Sequence, residues 1–140
     1  MKQIDLTKQI QELRSLFQRH PEIIAAILFG SYNTPFFNER SDLDFGLIFD
    51  RSVELSTELN IEVEISELLG TDRIDLVNLN KAPLLLKYNA VAGGKIIYES
   101  DYEKTSDFLE KIYNEFCDFE YGYRNLCDDF DYSLRETYNG

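Results

Sequence analysis

The sequence predicts one α/β domain of the α+β kind, in which helices flank a small mixed sheet. Its 140 residues are the size of a single ordinary domain. A continuous apolar run lies between Pro21 and Gly30, and a segment of alternating apolar residues follows at 42–49. From Tyr102 onward, apolar residues recur every three or four positions, which predicts a long amphipathic helix. The predicted fold class therefore rests on two strands and a closing helix.

The first third of the chain predicts a helix, a buried strand and a turn. Apolar residues recur at helical spacing up to Phe17, and Pro21 ends this first helix. The run from Ile23 to Phe29 is wholly apolar, which is typical of a strand covered on both faces. Gly30-Ser31 is the turn that leaves this strand, and the polar, turn-prone segment 32–41 is expected at the surface.

The alternating segment 42–49 predicts a second strand. Its odd-numbered residues are all large and apolar, whereas Asp42 and Asp44 fall among the even-numbered ones. Because successive side chains of a strand point to opposite faces, the two aspartates share one face.

The segment from Leu55 to Leu69 fits two patterns. Its apolar residues alternate over 59–65, but a helical face is also present. We predict a helix, because the polar positions are rich in Glu and Gly70 is a plausible C-terminal stop.

The remaining elements follow in short order. We predict a third strand over 74–79, a helix over 83–92 closed by Gly93-Gly94, and a short fourth strand over 95–98. Residues 1–100 would form the core, and residues 101–140 a helical tail packed on it within the same domain.

Composition limits the possible partners. With 26 acidic and 14 basic residues, the net charge of −12 repels phosphate backbones, so we expect no direct contact with nucleic acid. Residues 101–140 hold eleven of the acidic and four of the basic residues, which suits a basic protein partner. The tail also has more tyrosines than one buried face needs, so its aromatic stripe fits either core or interface.

The sequence predicts a cytoplasmic protein that makes no membrane contact. The N-terminus has no apolar signal core, and the longest apolar run, seven residues, is too short to span a bilayer. Cys117 and Cys127 lie in the predicted closing helix, where ten residues of rise separate them by about 15 Å, too far for a disulfide.

The arrangement of Gly30, Ser31, Asp42 and Asp44 points to phosphate chemistry. Glycine lets the backbone approach a triphosphate, and the Ser31 hydroxyl can bond phosphate oxygens. Two carboxylates on one strand face can bind Mg²⁺, which offsets triphosphate charge. Each feature alone is commonplace. Their combination, with the strands in the right order, predicts a nucleotidyl-transfer site.

Four further polar residues are not members of that four-residue motif. Asp75 in the third strand is the best-placed third carboxylate, able to ligate metal and accept the proton of an attacking hydroxyl, and Asp72 is the nearest alternative. Arg40 could reach a phosphate, although a loop arginine is more often only solvated. His20, the only histidine, is expected to be structural or solvent-exposed.

At these residues the chain resembles the minimal nucleotidyltransferases of the DNA polymerase beta superfamily. It is most similar to the MNT-domain (MntA-type) antitoxins of HEPN/MNT toxin–antitoxin systems. The resemblance rests on Leu28-Phe29-Gly30-Ser31-Tyr32, Ser41-Asp42-Leu43-Asp44, the segment 73–79 and the segment 94–98, and it extends into the closing helix.

The resemblance implies the minimal nucleotidyltransferase fold and an adenylyltransferase that moves AMP from ATP onto a tyrosine of a cognate HEPN toxin, an RNase, in a hetero-oligomer. It implies catalytic, metal-binding roles for Asp42, Asp44 and Asp75 with two Mg²⁺ ions, and nucleotide binding by Gly30 and Ser31, to which Arg40 is added.

Two alternatives stay open at this point. A nucleotidyltransferase for a small molecule such as an aminoglycoside uses the same metal site, although such enzymes usually need a second domain. An antitoxin that acts only by binding, with an idle site, is the other. The bulky segment 34–37, where many members of the family carry a small or basic stretch with glycine, keeps that second alternative open.

Overall fold

The computed structural model describes the backbone of residues 6–30 and 43–139 and the side chains of residues 8–30 and 43–122. The bulky segment 34–37 lies outside the described residues. The elements follow in the order α1 (Leu6–Gln18), β1 (Ile23–Phe29), β2 (Leu43–Phe49), α2 (Leu55–Leu69), β3 (Ile74–Asn78), α3 (Leu84–Gly93), β4 (Lys95–Glu99) and α4 (Tyr102–Asn139).

The four strands form one mixed sheet in the order β3-β2-β1-β4. Strand β1 pairs antiparallel with both β2 and β4, whereas β2 pairs parallel with β3. This confirms the expected α/β class with a small mixed sheet flanked by helices. Every residue of β1 is buried, as its unbroken apolar run predicts.

Helices cover both faces of the sheet. On one face, α1 and α2 pack against the odd-numbered residues of β2, with Phe17, Phe45 and Ile65 at the centre of this cluster. On the other face, Ile27, Phe29 and Ile48 meet α3 through Ala90, and α4 through residues 108 and 109. The even-numbered residues of β2, including Asp44, therefore face the α3 and α4 side.

The ambiguous segment 55–69 is a helix, as predicted. Its buried side chains are Ile61, Ile65 and Leu69. Gly70 ends the helix with φ 69°, and its N–H donates to the Ser66 carbonyl at 2.9 Å. A left-handed residue at this point is the usual glycine C-cap.

The long closing helix α4 is also present. Its first half packs on α3, where Phe116 stacks on Tyr88 with ring centroids 3.5 Å apart and Ile112 is buried. Tyr113 and Tyr121 are exposed. Up to residue 122, the aromatic stripe thus divides between core and surface. Cys117 is a free thiol and shares this one helix with Cys127.

Side-chain hydrogen bonds stabilise the ends of strands and helices. The Asn80 amide pairs with the Phe49 backbone in both directions, accepting from its N–H at 2.9 Å and donating to its carbonyl at 2.8 Å. His20, next to the end of α1, contacts Glu64 of α2 at 2.6 Å, which agrees with a structural role. No helix in the described part of the chain is long and apolar enough to cross a bilayer.

Candidate active site

Three of the predicted site residues lie at the same end of the sheet. Gly30 directly follows β1, and Asp44 and Asp75 are the second residues of β2 and β3. The other three, Ser31, Arg40 and Asp42, lie outside the described residues.

The two described aspartates are neighbours across the sheet. Asp44 and Asp75 are register partners of the parallel β2–β3 pair, which places their Cα atoms about 4.8 Å apart, one strand spacing. Side chains of register partners in a parallel pair leave the same face of the sheet. The Asp44 side chain is half-buried, whereas Asp75 is exposed at the edge strand. Two carboxylates from adjacent strands therefore lie on one face of the sheet.

The start of this strand pair is held by the backbone. The Leu43 N–H donates to the Arg73 carbonyl at 3.0 Å, just before β3 begins. Leu43 and Ile74 form the register pair directly before Asp44 and Asp75. Both side chains are buried on the face of the sheet opposite to the two aspartates. The relative position of Asp44 and Asp75 is thus fixed by buried neighbours and by the backbone ladder.

Gly30 lies against the Asp44 carboxylate. Its φ of 83° falls in the left-handed region, which side chains rarely adopt. A Cβ built on Gly30 would also overlap the Asp44 carboxylate, with the Asp44 Cγ only 3.0 Å away. Glycine is therefore required here both by backbone conformation and by space. Its absent side chain leaves room for Asp44 beside the end of β1.

Two more glycines keep the surface beneath the aspartates tightly packed. A Cβ at Gly46, two residues after Asp44 on the same face, would lie 2.9 Å from Leu79 Cδ1. A Cβ at Gly94 would lie 3.1 Å from the Phe29 Cβ and would overlap the Ala90 carbonyl. The sequence marked Gly94 as a helix end and as the first residue of the segment 94–98 that carries the resemblance. Its close approach to Phe29, the residue before Gly30, depends on tertiary contacts that no local pattern shows.

A fourth acid, Glu62 of α2, lies near this group and was missed in the sequence. Burial raises the pKa of the Glu62 carboxyl, and the negative charge of Asp75 raises it further. In the sequence, Glu62 is one of several glutamates of an amphipathic helix, so only the packing of α2 beside β3 reveals its proximity to Asp75.

The donor set fits a hard divalent cation. Mg²⁺ prefers carboxylate oxygens, and Asp44 and Asp75 present two such groups on one face. Among the described residues no group of three His, Cys, Asp or Glu side chains forms a ready metal cluster. The fit therefore rests on two carboxylates of adjacent strands.

The family comparison agrees with this fold. Residues 11–103 match the family "Polymerase beta, Nucleotidyltransferase", so the chain belongs to that family. Membership of this family defines the chain as a nucleotidyltransferase.

Similar proteins narrow the resemblance. The chain is 28% identical over 121 residues to the protein adenylyltransferase MntA of Aphanizomenon flos-aquae (strain 2012/KM1/D3), covering 77% of this chain and 81% of that protein. A toxin–antitoxin crystal structure with AMP-PNP has a TM-score of 0.69 at 22% identity, covering 87% of this chain and 95% of that one. A structure of tri-AMPylated Shewanella oneidensis HEPN toxin in complex with MNT antitoxin has a TM-score of 0.68 at 19% identity, with 88% and 96% covered. The resemblance to MNT-domain antitoxins is thereby confirmed.

Proposed function

We propose that this chain is an antitoxin that transfers AMP from ATP, with Mg²⁺, to a tyrosine of a HEPN-family toxin and so neutralises it. The observation that carries the proposal is the convergence of Gly30, Asp44 and Asp75 at one end of the sheet of a nucleotidyltransferase. The similarity to a protein adenylyltransferase and to a complex that contains an AMPylated toxin supports the substrate and the acceptor.

The site residues have distinct proposed roles. Asp42, Asp44 and Asp75 would together hold two Mg²⁺ ions. Gly30 and Ser31 would contact the triphosphate, and Arg40 would reach one of its phosphates. Bound Mg²⁺ would offset the triphosphate charge and hold the α-phosphorus for in-line attack. The left-handed turn at Gly30 supports this assignment, because it leaves no Cβ between the backbone and the Asp44 carboxylate.

The transfer step needs a group that accepts a proton. The phenolic oxygen of the acceptor attacks the α-phosphorus, the bond to the β-phosphate bridging oxygen breaks, and pyrophosphate leaves. The phenolic proton would pass to Asp75, which is exposed at the edge of the sheet where an incoming protein can reach it. Asp44 is half-buried beside it and is better suited to holding metal.

The experiment is direct transfer to a purified HEPN-family toxin. Incubation with ATP and Mg²⁺ should add AMP to the toxin, fragment mass analysis should locate it on tyrosine, and the toxin's ribonuclease activity should fall with it. Incubation without ATP is the control, since an antitoxin that acts only by binding would silence the toxin equally well in both mixtures. Equal loss of ribonuclease activity with and without ATP would refute the proposal.

A further inference from the structure

Helix α2 has two apolar faces, and only one of them is buried. Ile61, Ile65 and Leu69 pack into the core. A second row, called here the α2 stripe, consists of Leu55, Leu59 and Val63, whose exposed fractions are 66%, 50% and 53%. Residues four apart lie on the same side of a helix, so these three side chains form one continuous row.

The α2 stripe is left uncovered by the described part of the chain. Single exposed leucines are common on protein surfaces, but contiguous apolar patches mark binding surfaces. The stripe also explains why the sequence alternates over 59–65. In a helix, alternate positions fall on nearly opposite sides, so Leu59 and Val63 point away from the core that Ile61 and Ile65 enter.

The stripe leads into an acidic depression. A surface depression of about 560 Å³ is lined by Val63, Ser66, Glu67, Gly70, Thr71 and Asp72. Val63 belongs to both features, so the apolar row continues into the depression. Glu67 and Asp72 are exposed there. Helix α2 has four glutamates and no basic residue. An apolar row with an acidic end complements an apolar row with basic neighbours.

The stripe also adjoins the candidate active site. Helix α2 leads through the depression to β3, the edge strand on which Asp75 lies. Glu62, which precedes Val63, is close enough to Asp75 for the negative charge of Asp75 to raise the pKa of the Glu62 carboxyl. Asp75 and α2 lie on opposite faces of the sheet, but β3 is the edge strand, so a protein that presents an acceptor side chain to Asp75 around that edge can also reach α2.

We propose that the α2 stripe docks an amphipathic helix of the protein that receives AMP, with a Lys or Arg of that helix in the depression beside Glu67 and Asp72. The identity of the occupant rests on the proposed function. A second copy of this chain is a poorer occupant, because two such helices would bring their glutamates together and repel one another.

The test replaces the stripe without disturbing the helix. Leu59→Gln with Val63→Gln removes the apolar surface, and glutamine is a good helix former. The Kd for a HEPN-family toxin, measured by calorimetry, should rise at least tenfold, which is about 1.4 kcal/mol. In the transfer assay, KM for the toxin should rise while kcat at saturating toxin stays unchanged, because the reacting groups are untouched.

A matched control lies on the opposite side of the sheet. Leu85 of α3 is 52% exposed, and Leu85→Gln should leave both Kd and KM as they are. Glu67→Gln should flatten the salt dependence of Kd, because it removes one charge of the depression. Circular dichroism and the denaturation midpoint show whether each variant is folded.

The outcomes separate the two proposals. An unchanged Kd and KM in the double variant overturns the docking proposal, as does an equal loss in Leu85→Gln. A self-associated chain that becomes monomeric in the double variant also overturns it in favour of a second copy. A parent chain that binds toxin but transfers no AMP refutes the proposed function, while the comparison of Kd values still tests the stripe.

Discussion

At the scale of single residues, Gly30 and Asp44 depend on each other. The glycine is both in the left-handed region and in contact with the aspartate carboxylate. A residue that adds a Cβ must therefore shift the backbone that leads into Ser31, or move Asp44. Both movements disturb the position of the proposed metal ligand.

Gly30→Ala should abolish transfer and lower stability, and a second glycine provides the control. Gly70 has a similar φ of 69° but no atom within 4 Å of an added Cβ. Gly70→Ala therefore costs only the left-handed conformation, about 1–2 kcal/mol. Gly30→Ala should cost more in urea denaturation and should lose kcat at saturating toxin, whereas Gly70→Ala, a change in the lining of the docking depression, should keep its kcat. Equal activity in the two variants would contradict the role given to Gly30.

Asp75→Asn should separate catalysis from nucleotide binding. The variant keeps the shape of the side chain but removes the charge, so loss of a proton acceptor should lower kcat by about 10² to 10⁴. ATP affinity should change much less, because Asp42, Asp44 and the Gly30-Ser31 turn remain. Asp72→Asn, an exposed acid three residues earlier, is the control for kcat at saturating toxin, where a weaker contact in the docking depression does not lower the rate. If the control loses transfer and Asp75→Asn does not, the third carboxylate is Asp72.

At the scale of elements, periodicity predicted most of what the structure shows. The apolar run of β1 and the alternation of β2 each record which faces are buried, because both faces of β1 and one face of β2 meet helices. The alternation alone placed Asp44 opposite the α1 and α2 core. The segment 55–69 was harder, since a helix with two apolar faces also resembles a strand.

The pairing of strands could not be predicted from the sequence. No local pattern states that β3 lies beside β2 in parallel, or that Asp75 is the register partner of Asp44. That neighbourhood is set by the crossover through α2 and by buried contacts such as those of Leu43 and Ile74. Glu62 and Gly94 were missed for the same reason, because each matters only through residues distant in the chain.

Asn80→Ala should loosen the end of β2. The variant removes both bonds to the Phe49 backbone, and we expect a loss of about 1–3 kcal/mol in the free energy of unfolding, read from urea denaturation. Asn60, exposed on α2, is the control, and Asn60→Ala should be neutral or slightly stabilising because alanine favours helix. A loss no larger than that of the control would show that these bonds do not hold the strand end.

At the scale of the whole molecule, the charge is unevenly spread. Residues 101–140 contain eleven acidic and four basic residues, and α4 extends through nearly all of them. A helix of 38 residues is about 57 Å long, more than twice the length of a seven-residue strand. The acidic helix is therefore long enough to reach well past the sheet toward a partner.

Reversing the charge of the tail should weaken the complex with the toxin. Asp128, Asp129 and Asp131 changed to Lys should raise Kd at low salt, and the difference from the parent should shrink as salt rises, because screening weakens exposed charge pairs. Affinity measured across a salt series provides the comparison. An unchanged Kd at low salt would show that the charge of the tail does not contribute to toxin binding.

The central claim is that the acidic face of β2 carries nucleotidyl transfer, and one mass measurement tests it. HEPN-family toxin is incubated with ATP, Mg²⁺ and either the parent chain or the Asp42→Ala, Asp44→Ala double variant, whose fold is checked by circular dichroism. We expect toxin carrying AMP with the parent chain and unmodified toxin with the folded double variant. Toxin modified at the parent rate by the double variant would contradict it.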